Sequence, residues 1–294
     1  MKIGIVPINL GEFSHPEQLV PFVQAAEQLG YESVWTFEHV IIPNEYESVY
    51  PYAPSGKLAF TSEHEFIDPL VSLTYIAAST ERIRLGTGIN ILPQVSPLYF
   101  AKQTACIDHL SNGRLMLGLG VGWLKEEFDA LGVPFARRGA RADEYLDALS
   151  LAWTGEEVNY KGEFIDWHDF RILPPAKQTP RIPVYIGGVT RPAVKRVVAR
   201  GDGWYVIHNG EAQLREHFAV LDDELEKAGR AKSTLEFTSY WNFHKEGLEM
   251  LDVYEELGVD RLLINVHALR QGDAMTALKW FADEVFPILE ARRA

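Results

Sequence analysis

The segment from residue 83 to residue 123 constrains the fold more than any other part of the chain. It begins with the apolar run IRLGTGINILP, continues with apolar residues at helical spacing, and ends with a second apolar run, RLMLGLGVGW. A strand, a helix and a strand within about forty residues form a βαβ unit, whose strands are parallel. Both runs end among glycines, at the edge where ligands bind in parallel α/β folds. The expected apolar face of the helix comprises Leu98, Ala101, Ala105 and Leu110.

The rest of the chain repeats this alternation of strand and helix. Eight strand-like runs are each followed by a helical pattern, at residues 2–8, 33–37, 83–89, 114–120, 183–188, 202–207, 235–241 and 260–266. No stretch resembles a linker, so the pattern predicts a single (β/α)8 TIM barrel over residues 1–294. Residues 155–180 break the alternation, and the turn-forming pair Lys161-Gly162 predicts an inserted hairpin between the fourth and fifth strands.

Charge and composition argue against several functional classes. The formal net charge is −13 and there is no basic stripe, so we expect no nucleic-acid partner. No apolar run reaches membrane-spanning length, and the N-terminal MKIGIVPINLG lacks the features of a signal peptide. Cys106 is the only cysteine, which excludes an intramolecular disulfide. We therefore expect a protein of the reducing cytoplasm, with Cys106 in the core.

Histidines follow several predicted strands and would meet at the carboxyl rim, where TIM-barrel active sites lie. His39 follows Glu38 after the second strand, and the others are His208, His244 and His267. Histidine clusters in barrels often bind zinc or iron, which makes a metal-dependent hydrolase one alternative. No carboxylate stands in an obvious ligand spacing with these histidines, so no metal ligand is predicted.

A Gly-Gly turn after the fifth strand predicts an anion site. In IPVYIGGVTRPAVKR, the turn Gly187-Gly188 precedes a helix whose free N–H groups and positive dipole end suit a phosphate. Val189 and Thr190 belong to this turn, and Arg191 adds a positive charge. The segment GLGVGW fails to complete G-x-G-x-x-G because Trp123 takes the last position, which disfavours a Rossmann dinucleotide site.

Residues 40–66 form the longest segment without a helical or strand pattern. The segment contains three prolines and is rich in tyrosine and phenylalanine. A loop of this length in a compact protein is usually functional or disordered. Its aromatic content favours a lid over an apolar ligand.

Several stretches taken together resemble one known family. They are GYESVWTFEHVIIP, DPLVSLTYIAASTERIRLGTGINILP, AKQTACIDHLSNGRLMLGLGVGW, EEFDALGVPFARRGARADEY, and IPVYIGG with GDGW. In this combination the chain is similar to the bacterial luciferase-like oxidoreductase superfamily, and more closely to its coenzyme F420-dependent branch. The resemblance implies a (β/α)8 barrel that carries a deazaflavin or flavin at its carboxyl face. The expected cofactor is coenzyme F420, and the alternative is FMN.

The resemblance also implies roles for individual residues. It implies that His39, with Glu38 beside it, acts near the reacting atoms, and that a non-proline cis peptide bond joins Gly88 to Ile89 behind the ring. The cofactor-binding residues expected from the resemblance and from the strand ends are His39, Gly88, Ile89, Asn90, Gly120, Val121, Gly122, Tyr145, Gly187, Gly188, Val189 and Thr190.

Trp123 departs from the pattern of one relative. A sugar-phosphate dehydrogenase of this superfamily has a glutamate, proposed as a proton donor, at that place, and a tryptophan cannot transfer protons. We therefore expect an apolar or aromatic small-molecule substrate, in contact with Trp123, Tyr46, Tyr50, Phe66 and His208. The expected reaction is hydride transfer between reduced F420 and this substrate, and the alternative is an FMN-dependent monooxygenase that uses dioxygen. A homodimer is expected, since oligomers are common for this fold.

Overall fold

The computed structural model describes residues 1–292 and contains a closed barrel of eight parallel strands. The described residues contain ten strands, of which β5 and β6 form a separate pair outside the barrel. In chain order the strands are β1 (Lys2–Ile5), β2 (Ser33–Thr36), β3 (Arg84–Ile91), β4 (Leu115–Gly120), β5 (Val158–Lys161), β6 (Asp166–Phe170), β7 (Val184–Gly187), β8 (Gly203–Val206), β9 (Glu236–Tyr240) and β10 (Arg261–Ile264). The barrel closes in the order β1-β10-β9-β8-β7-β4-β3-β2. The predicted (β/α)8 architecture is therefore confirmed.

Helices cover the outside of the barrel, and their ends follow the signals in the sequence. They are α1 (Pro16–Leu29), α2 (Pro69–Ser79), α3 (Pro97–Leu110), α4 (Lys125–Ala130), α5 (Arg138–Ala152), α6 (Arg191–Arg200), α7 (Glu211–Ala228), α8 (Phe243–Glu246), α9 (Met250–Leu257) and α10 (Ala274–Ala291). The side chain of Asp68 caps α2 by accepting a hydrogen bond from Val71 N at 2.9 Å. Gly30 ends α1 with φ of 92°, which a residue without Cβ adopts at little cost. Across residues 1–292, none of these helices has the length and apolarity needed to cross a membrane.

The core has two layers, one inside the barrel and one between the barrel and its helices. The inner layer is aromatic, with Trp35, Tyr185 and Tyr205 packed against Val6, Met116 and Leu263. Gly86 makes room for Trp35, because a side chain at that position would overlap the indole ring. The outer layer is a continuous aliphatic and aromatic cluster under the helices. The inner layer fills the barrel, so ligand space remains only at its ends.

The predicted apolar face of α3 is confirmed at Ala101 and Ala105, which are fully buried, and is wrong at its two leucines. Leu98 and Leu110 are exposed, whereas the buried arc contains Phe100, Ala101 and Thr104. Thr104 is buried because its hydroxyl accepts a hydrogen bond from Trp153 Nε1 at 3.0 Å, a partner just beyond α5 that apolar spacing cannot reveal. Cys106 lies at the edge of this face and is half-buried rather than a core residue.

The predicted inserted hairpin is present between α5 and β7. Strands β5 and β6 pair antiparallel around a turn at residues 162–165, next to the predicted position. Glu144 of α5 accepts hydrogen bonds from the backbone N–H groups of residues 163–165 at 2.7–2.9 Å. The carboxylate thereby fastens the hairpin to the outside of the barrel.

Candidate active site

A cavity of about 480 Å³ opens at the carboxyl ends of β3, β4 and β7. The predicted cis peptide bond between Gly88 and Ile89 is present at its base. A side chain at Gly120 would overlap Ile89, so glycine there lets the Ile89 side chain lie against the backbone of β4. Most of the residues predicted for the site line this cavity: Glu38, His39, Tyr50, Gly88, Ile89, Gly120, Val121, Gly122, Trp123, Gly187, Gly188, Val189 and Thr190.

Asn90 and His208, two predicted ligand contacts, are buried outside the cavity lining. Asn90 Nδ2 donates to Glu38 Oε1 at 2.7 Å, so Asn90 supports the site from behind. His208 Nδ1 accepts a hydrogen bond from Gly210 N at 3.1 Å, and its Nε2 lies 3.1 Å from the Tyr254 hydroxyl. Burial lowers the pKa of His208 to about 4, so the ring is neutral at pH 7. Both predictions are corrected, because both side chains are buried outside the cavity lining and hydrogen-bonded to residues of the barrel.

Tyr145, Tyr46 and Phe66 also lie outside the cavity lining. Tyr145 is on α5 and packs against the outer core, which corrects its predicted contact with the cofactor. Tyr46 packs against Trp123 with ring centroids 5.6 Å apart, and Phe66 packs against His39 at 6.2 Å. The predicted substrate contacts of Tyr46 and Phe66 are therefore replaced by support of the two rings that do line the cavity.

Several lining residues were not predicted from the sequence. They are Phe37, Val49, Pro51, Tyr52, Leu58, Phe60, Ile91, Arg138, Ala193, Tyr205 and Ile207. Five of these residues, Val49, Pro51, Tyr52, Leu58 and Phe60, belong to the loop of residues 40–66. The aromatic composition of that loop predicted a lid but not the individual residues. Arg138 lies in the segment EEFDALGVPFARRGARADEY, but nothing in its spacing distinguishes it from the neighbouring arginines.

Glu38 is a buried carboxylate at the edge of the cavity. It accepts hydrogen bonds from the backbone N–H of Ile91 and from Asn90, which holds the end of β3 against β2. Burial raises the pKa of Glu38 to about 7, although these two hydrogen bonds act in the opposite direction. The carboxyl group is therefore poised to exist in both protonation states near neutral pH.

His39 forms part of the cavity wall and is held by a second buried carboxylate. Its Nδ1 lies 3.2 Å from Oε2 of Glu127, a fully buried residue of α4. The imidazole packs edge-on against Phe66 and Trp123, with centroids 6.2 and 6.1 Å away. Hydrogen bonding and ring packing together fix the orientation of a group suited to acid–base chemistry.

The turn after β7 carries the features of an anion site. Gly188 has φ of 106°, and Thr190 is the N-cap residue of α6. Arg191, which we expected to contribute charge here, instead pairs with Asp223 and Glu224 of α7 at 2.9 and 2.6 Å. The positive end of α6 therefore faces the cavity without the help of Arg191.

Arg138 provides the positive charge that Arg191 does not. Among the described residues that line the cavity it is the only lysine or arginine. Its Nε donates to Gly122 O at 3.0 Å, and its guanidinium lies 3.8 Å from the centre of the Phe135 ring. Burial lowers the pKa of Arg138, as expected for a cation that an anion has not neutralised.

The loop of residues 40–66 covers one side of the cavity. Tyr50 packs against Trp123 with ring centroids 5.1 Å apart, and Phe37 packs against Phe60 at 6.2 Å. The loop is fastened to α4 by Glu126, which accepts hydrogen bonds from Glu47 N and from the Ser48 hydroxyl, both at 2.7 Å. The roof of the cavity is therefore aromatic.

The rim histidines do not converge on a metal site. His208 and His39 are committed to the partners described above, and His267 lies 3.4 Å from Glu12 on the surface. Within residues 1–292, no three histidine, cysteine, aspartate or glutamate side chains are grouped so that they could hold a metal ion. No observation in the described structure favours the metal-dependent hydrolase.

Comparison with known proteins gives four relevant similarities. An uncharacterized protein of Mycobacterium tuberculosis is 34% identical over 206 residues, which cover 70% of this chain and 72% of that protein. An F420-dependent glucose-6-phosphate dehydrogenase of Kineococcus radiotolerans is 29% identical over 245 residues, covering 79% and 66%. An FMNH2-dependent dimethylsulfone monooxygenase of Pseudomonas putida is 31% identical over 156 residues, covering 52% and 42%. The crystal structure of monooxygenase RslO1 from Streptomyces bottropensis superposes with a TM-score of 0.77 at 21% identity, covering 98% and 100%.

The family match extends over most of the chain. The model of the luciferase-like monooxygenase family matches residues 6–246, which include six of the eight barrel strands and every residue that lines the cavity. The superposition on RslO1 supports the fold in particular. The chain belongs to the luciferase-like monooxygenase family.

Proposed function

We propose that this protein is an oxidoreductase that transfers a hydride between reduced coenzyme F420 and a small apolar or aromatic organic substrate. The observation that carries the proposal is the composition of the cavity. One cavity combines a flat glycine floor, an anion site and an aromatic roof, with His39 in its wall. A planar cofactor with a phosphate at one end matches this arrangement. Oxidoreductase chemistry also agrees with the F420-dependent and FMNH2-dependent relatives.

The residues of the cavity fit such a cofactor. The Gly88-Ile89 segment and Gly120 would lie beneath the ring, with the side chain of Ile89 packed against Gly120. The turn at Gly188 and the guanidinium of Arg138 would bind the phosphate. Reduced F420, when bound, supplies the hydride.

The chain itself would contribute water exclusion and a proton. Trp123, Tyr50 and Phe60 cover the cavity with aromatic surface and keep water from the reacting atoms. The indole of Trp123 cannot act as a general acid or base. His39 is therefore the proposed acid, base or hydrogen-bond donor. The same aromatic surface selects an apolar or aromatic substrate.

An FMN-dependent monooxygenase is the second candidate, and one observation favours it. Arg138 and one helix N-terminus match a single phosphate, as on FMN, whereas F420 carries an additional acidic tail. The P. putida relative is also FMNH2-dependent.

Turnover assays separate the two candidates. Under anaerobic conditions, the protein is mixed with reduced F420 and a panel of small apolar carbonyl and enone compounds. We expect the absorbance of oxidised F420 to return with at least one compound. Turnover only with reduced FMN and dioxygen would replace the proposal by the monooxygenase.

We also propose that the protein is a cytoplasmic homodimer. Adjacent helices α2 and α3 carry exposed apolar side chains, among them Tyr75 and Tyr99, which a second copy would cover. Sedimentation velocity should give twice the mass of the 33.2 kDa chain. A single monomeric species at micromolar concentration would contradict the dimer, and recovery outside the soluble cell fraction would contradict the location.

A further inference from the structure

The carboxylate of Glu127 has hydrogen-bond donors on both oxygens. Oε1 accepts from the backbone N–H groups of Val40 and Ile41 at 2.6 and 3.3 Å. Oε2 accepts from Gln94 Nε2 at 3.2 Å and lies 3.2 Å from His39 Nδ1. The residue is fully buried, so water does not compete for these positions.

This arrangement determines which nitrogen of His39 carries the proton. An ionised carboxylate only accepts hydrogen bonds, so Nδ1 must donate to Glu127. In the neutral imidazole the proton is then on Nδ1, and the lone pair is on Nε2. Because Nδ1 is engaged with Glu127, Nε2 is the nitrogen available to a ligand in the cavity that His39 lines.

We propose that Glu127 is a positioning residue that holds His39 in the Nδ1–H form and so presents Nε2 to the substrate. This inference rests on the proposed acid–base role of His39. In the direction of substrate reduction, reduced F420 would supply the hydride to a carbonyl carbon, and Nε2 of the imidazolium would give its proton to the carbonyl oxygen. Glu127 keeps its negative charge, and His39 is left neutral with its proton on Nδ1. In the reverse direction Nε2 would remove the hydroxyl proton, and oxidised F420 would be the hydride acceptor.

The isosteric change Glu127→Gln separates this role from a purely structural one. The new amide retains an acceptor oxygen for Val40 and Ile41, while its NH2 group turns toward His39 Nδ1. Gln94 Oε1 is buried without a partner and can accept from that NH2 group once the Gln94 amide rotates. The loop is therefore still held, but His39 must accept at Nδ1 and carry its proton on Nε2.

Nitrogen-15 NMR of the imidazole rings reads the proton position without any cofactor or substrate. The protein has nine histidines, and a His39→Gln variant identifies the signals of His39. Neutral His39 should be the Nδ1–H form in the wild type and the Nε2–H form in Glu127→Gln. An Nε2–H form in the wild type, or no change in the variant, would overturn the inference.

Turnover provides the second test, with Glu144→Gln as the matched control. Glu144 also accepts hydrogen bonds from consecutive backbone N–H groups, but it holds the hairpin and touches no histidine. Glu127→Gln should lower turnover at least tenfold, and a wrong histidine tautomer has cost about ten-thousandfold in a serine protease. Glu144→Gln should stay near the wild-type rate.

His39→Ala distinguishes a failure of this inference from a failure of the proposed function. If His39→Ala loses turnover and Glu127→Gln does not, Glu127 has no positioning role, and the proposed function stands. If His39→Ala keeps turnover, the acid–base role of His39 fails, whatever the NMR experiment gives.

Discussion

The two ends of the barrel bury carboxylates in opposite ways. At the amino end, Glu32 binds Arg261 through two hydrogen bonds of 2.7 and 2.8 Å, and Glu236 binds it through two of 3.3 Å. Arg261 is completely buried. At the carboxyl end, Glu38 and Glu127 are buried as well, but their hydrogen bonds come from backbone, amide and imidazole groups. Within residues 1–292, no lysine or arginine forms an ion pair with either of them.

This difference in partners moves the pKa of two glutamates in opposite directions. Burial raises the pKa of Glu236, but Arg261 and Lys2 more than offset it and lower the value to about 2. Burial also raises the pKa of Glu38, and without a cation the value stays at about 7. The same residue type is thus a permanent anion at one end of the barrel and titrates near neutrality at the other.

The comparison indicates where the molecule uses buried charge for stability and where it uses it for chemistry. At the amino end, charges are matched and close the barrel beneath Trp35 and Tyr185. At the carboxyl end, unmatched carboxylates and the unpartnered amide oxygens of Asn90 and Gln94 lie around a cavity. Unmatched buried polar groups destabilise a fold, so carboxylates without a cation beside a cavity agree with a functional site at this end.

The largest expected effect comes from removing the cation at the amino end. Arg261→Met removes the guanidinium from Glu32 and leaves Glu236 with Lys2 and Tyr185, and it should lower the free energy of unfolding by about 3–5 kcal/mol. Urea denaturation measures the loss. Arg215→Met is the matched control, because Arg215 also binds a glutamate, Glu256, through two hydrogen bonds but on the surface, where little change is expected. A small loss for Arg261→Met would mean that the amino end is not held by its charges.

A pH titration of stability compares the two ends directly. The pKa of Glu38 is raised in the folded state, so its contribution to stability is present below the unfolded pKa and is lost as pH rises through about 7. As the pH rises from 5 to 8, the free energy of unfolding of Glu38→Gln should therefore increase by about 2–3 kcal/mol relative to that of the wild type. Glu236 has the opposite sign, since its stabilisation is lost only as pH falls toward about 2. If the difference in free energy of unfolding between Glu38→Gln and the wild type is the same at pH 5 and pH 8, the pKa of Glu38 is not raised.

Two substitutions at Gly188 test the anion site at the carboxyl end. Gly188→Asp adds a carboxylate facing the phosphate, whereas Gly188→Ala adds the strain of a side chain at φ of 106° and a tight contact with Ala193, both of which Gly188→Asp shares. Isothermal titration with F420 should give an affinity for Gly188→Asp that is lower by about 2 kcal/mol than that of Gly188→Ala. Equal affinities in two folded variants would remove this turn from the phosphate site.

The smallest expected effect concerns the loop over the cavity. Hydrogen exchange in residues 49–66 should slow when F420 and substrate are added. Exchange at Arg261, at the amino end of the barrel, should not change. Residues 47 and 48 serve as an internal reference, since Glu126 already holds their N–H groups. Identical exchange in residues 49–66 with and without ligands would make the loop a fixed wall rather than a lid.

The barrel was predictable from the sequence because apolar residues recur at a regular local spacing in each strand and each helix. The strand-end positions of Gly88, Gly120 and Gly187 follow from the same periods, and so does most of the cavity floor. The turn before α6 was recognised from its glycines and the proline that follows them.

The side-chain partners within the site were not predictable in this way. Arg191 is next to the turn in sequence but is neutralised by α7, whereas Arg138 reaches the cavity from α5. Glu127 contacts His39 although the two residues are 88 positions apart, so the spacing of neighbouring residues could not predict this pair. His208 does follow a strand end, but its ring turns toward Tyr254 instead of the cavity.

A binding titration tests the central claim most directly, namely that the carboxyl end of the barrel is a coenzyme F420 site. The protein, freed of bound small molecules, is titrated with F420, FMN and NADPH, and the fluorescence of its tryptophans is followed, since Trp123 lines the cavity. We predict saturable binding of F420 with a micromolar Kd, much weaker binding of FMN, and none of NADPH. Tight binding of FMN without binding of F420 would contradict the claim.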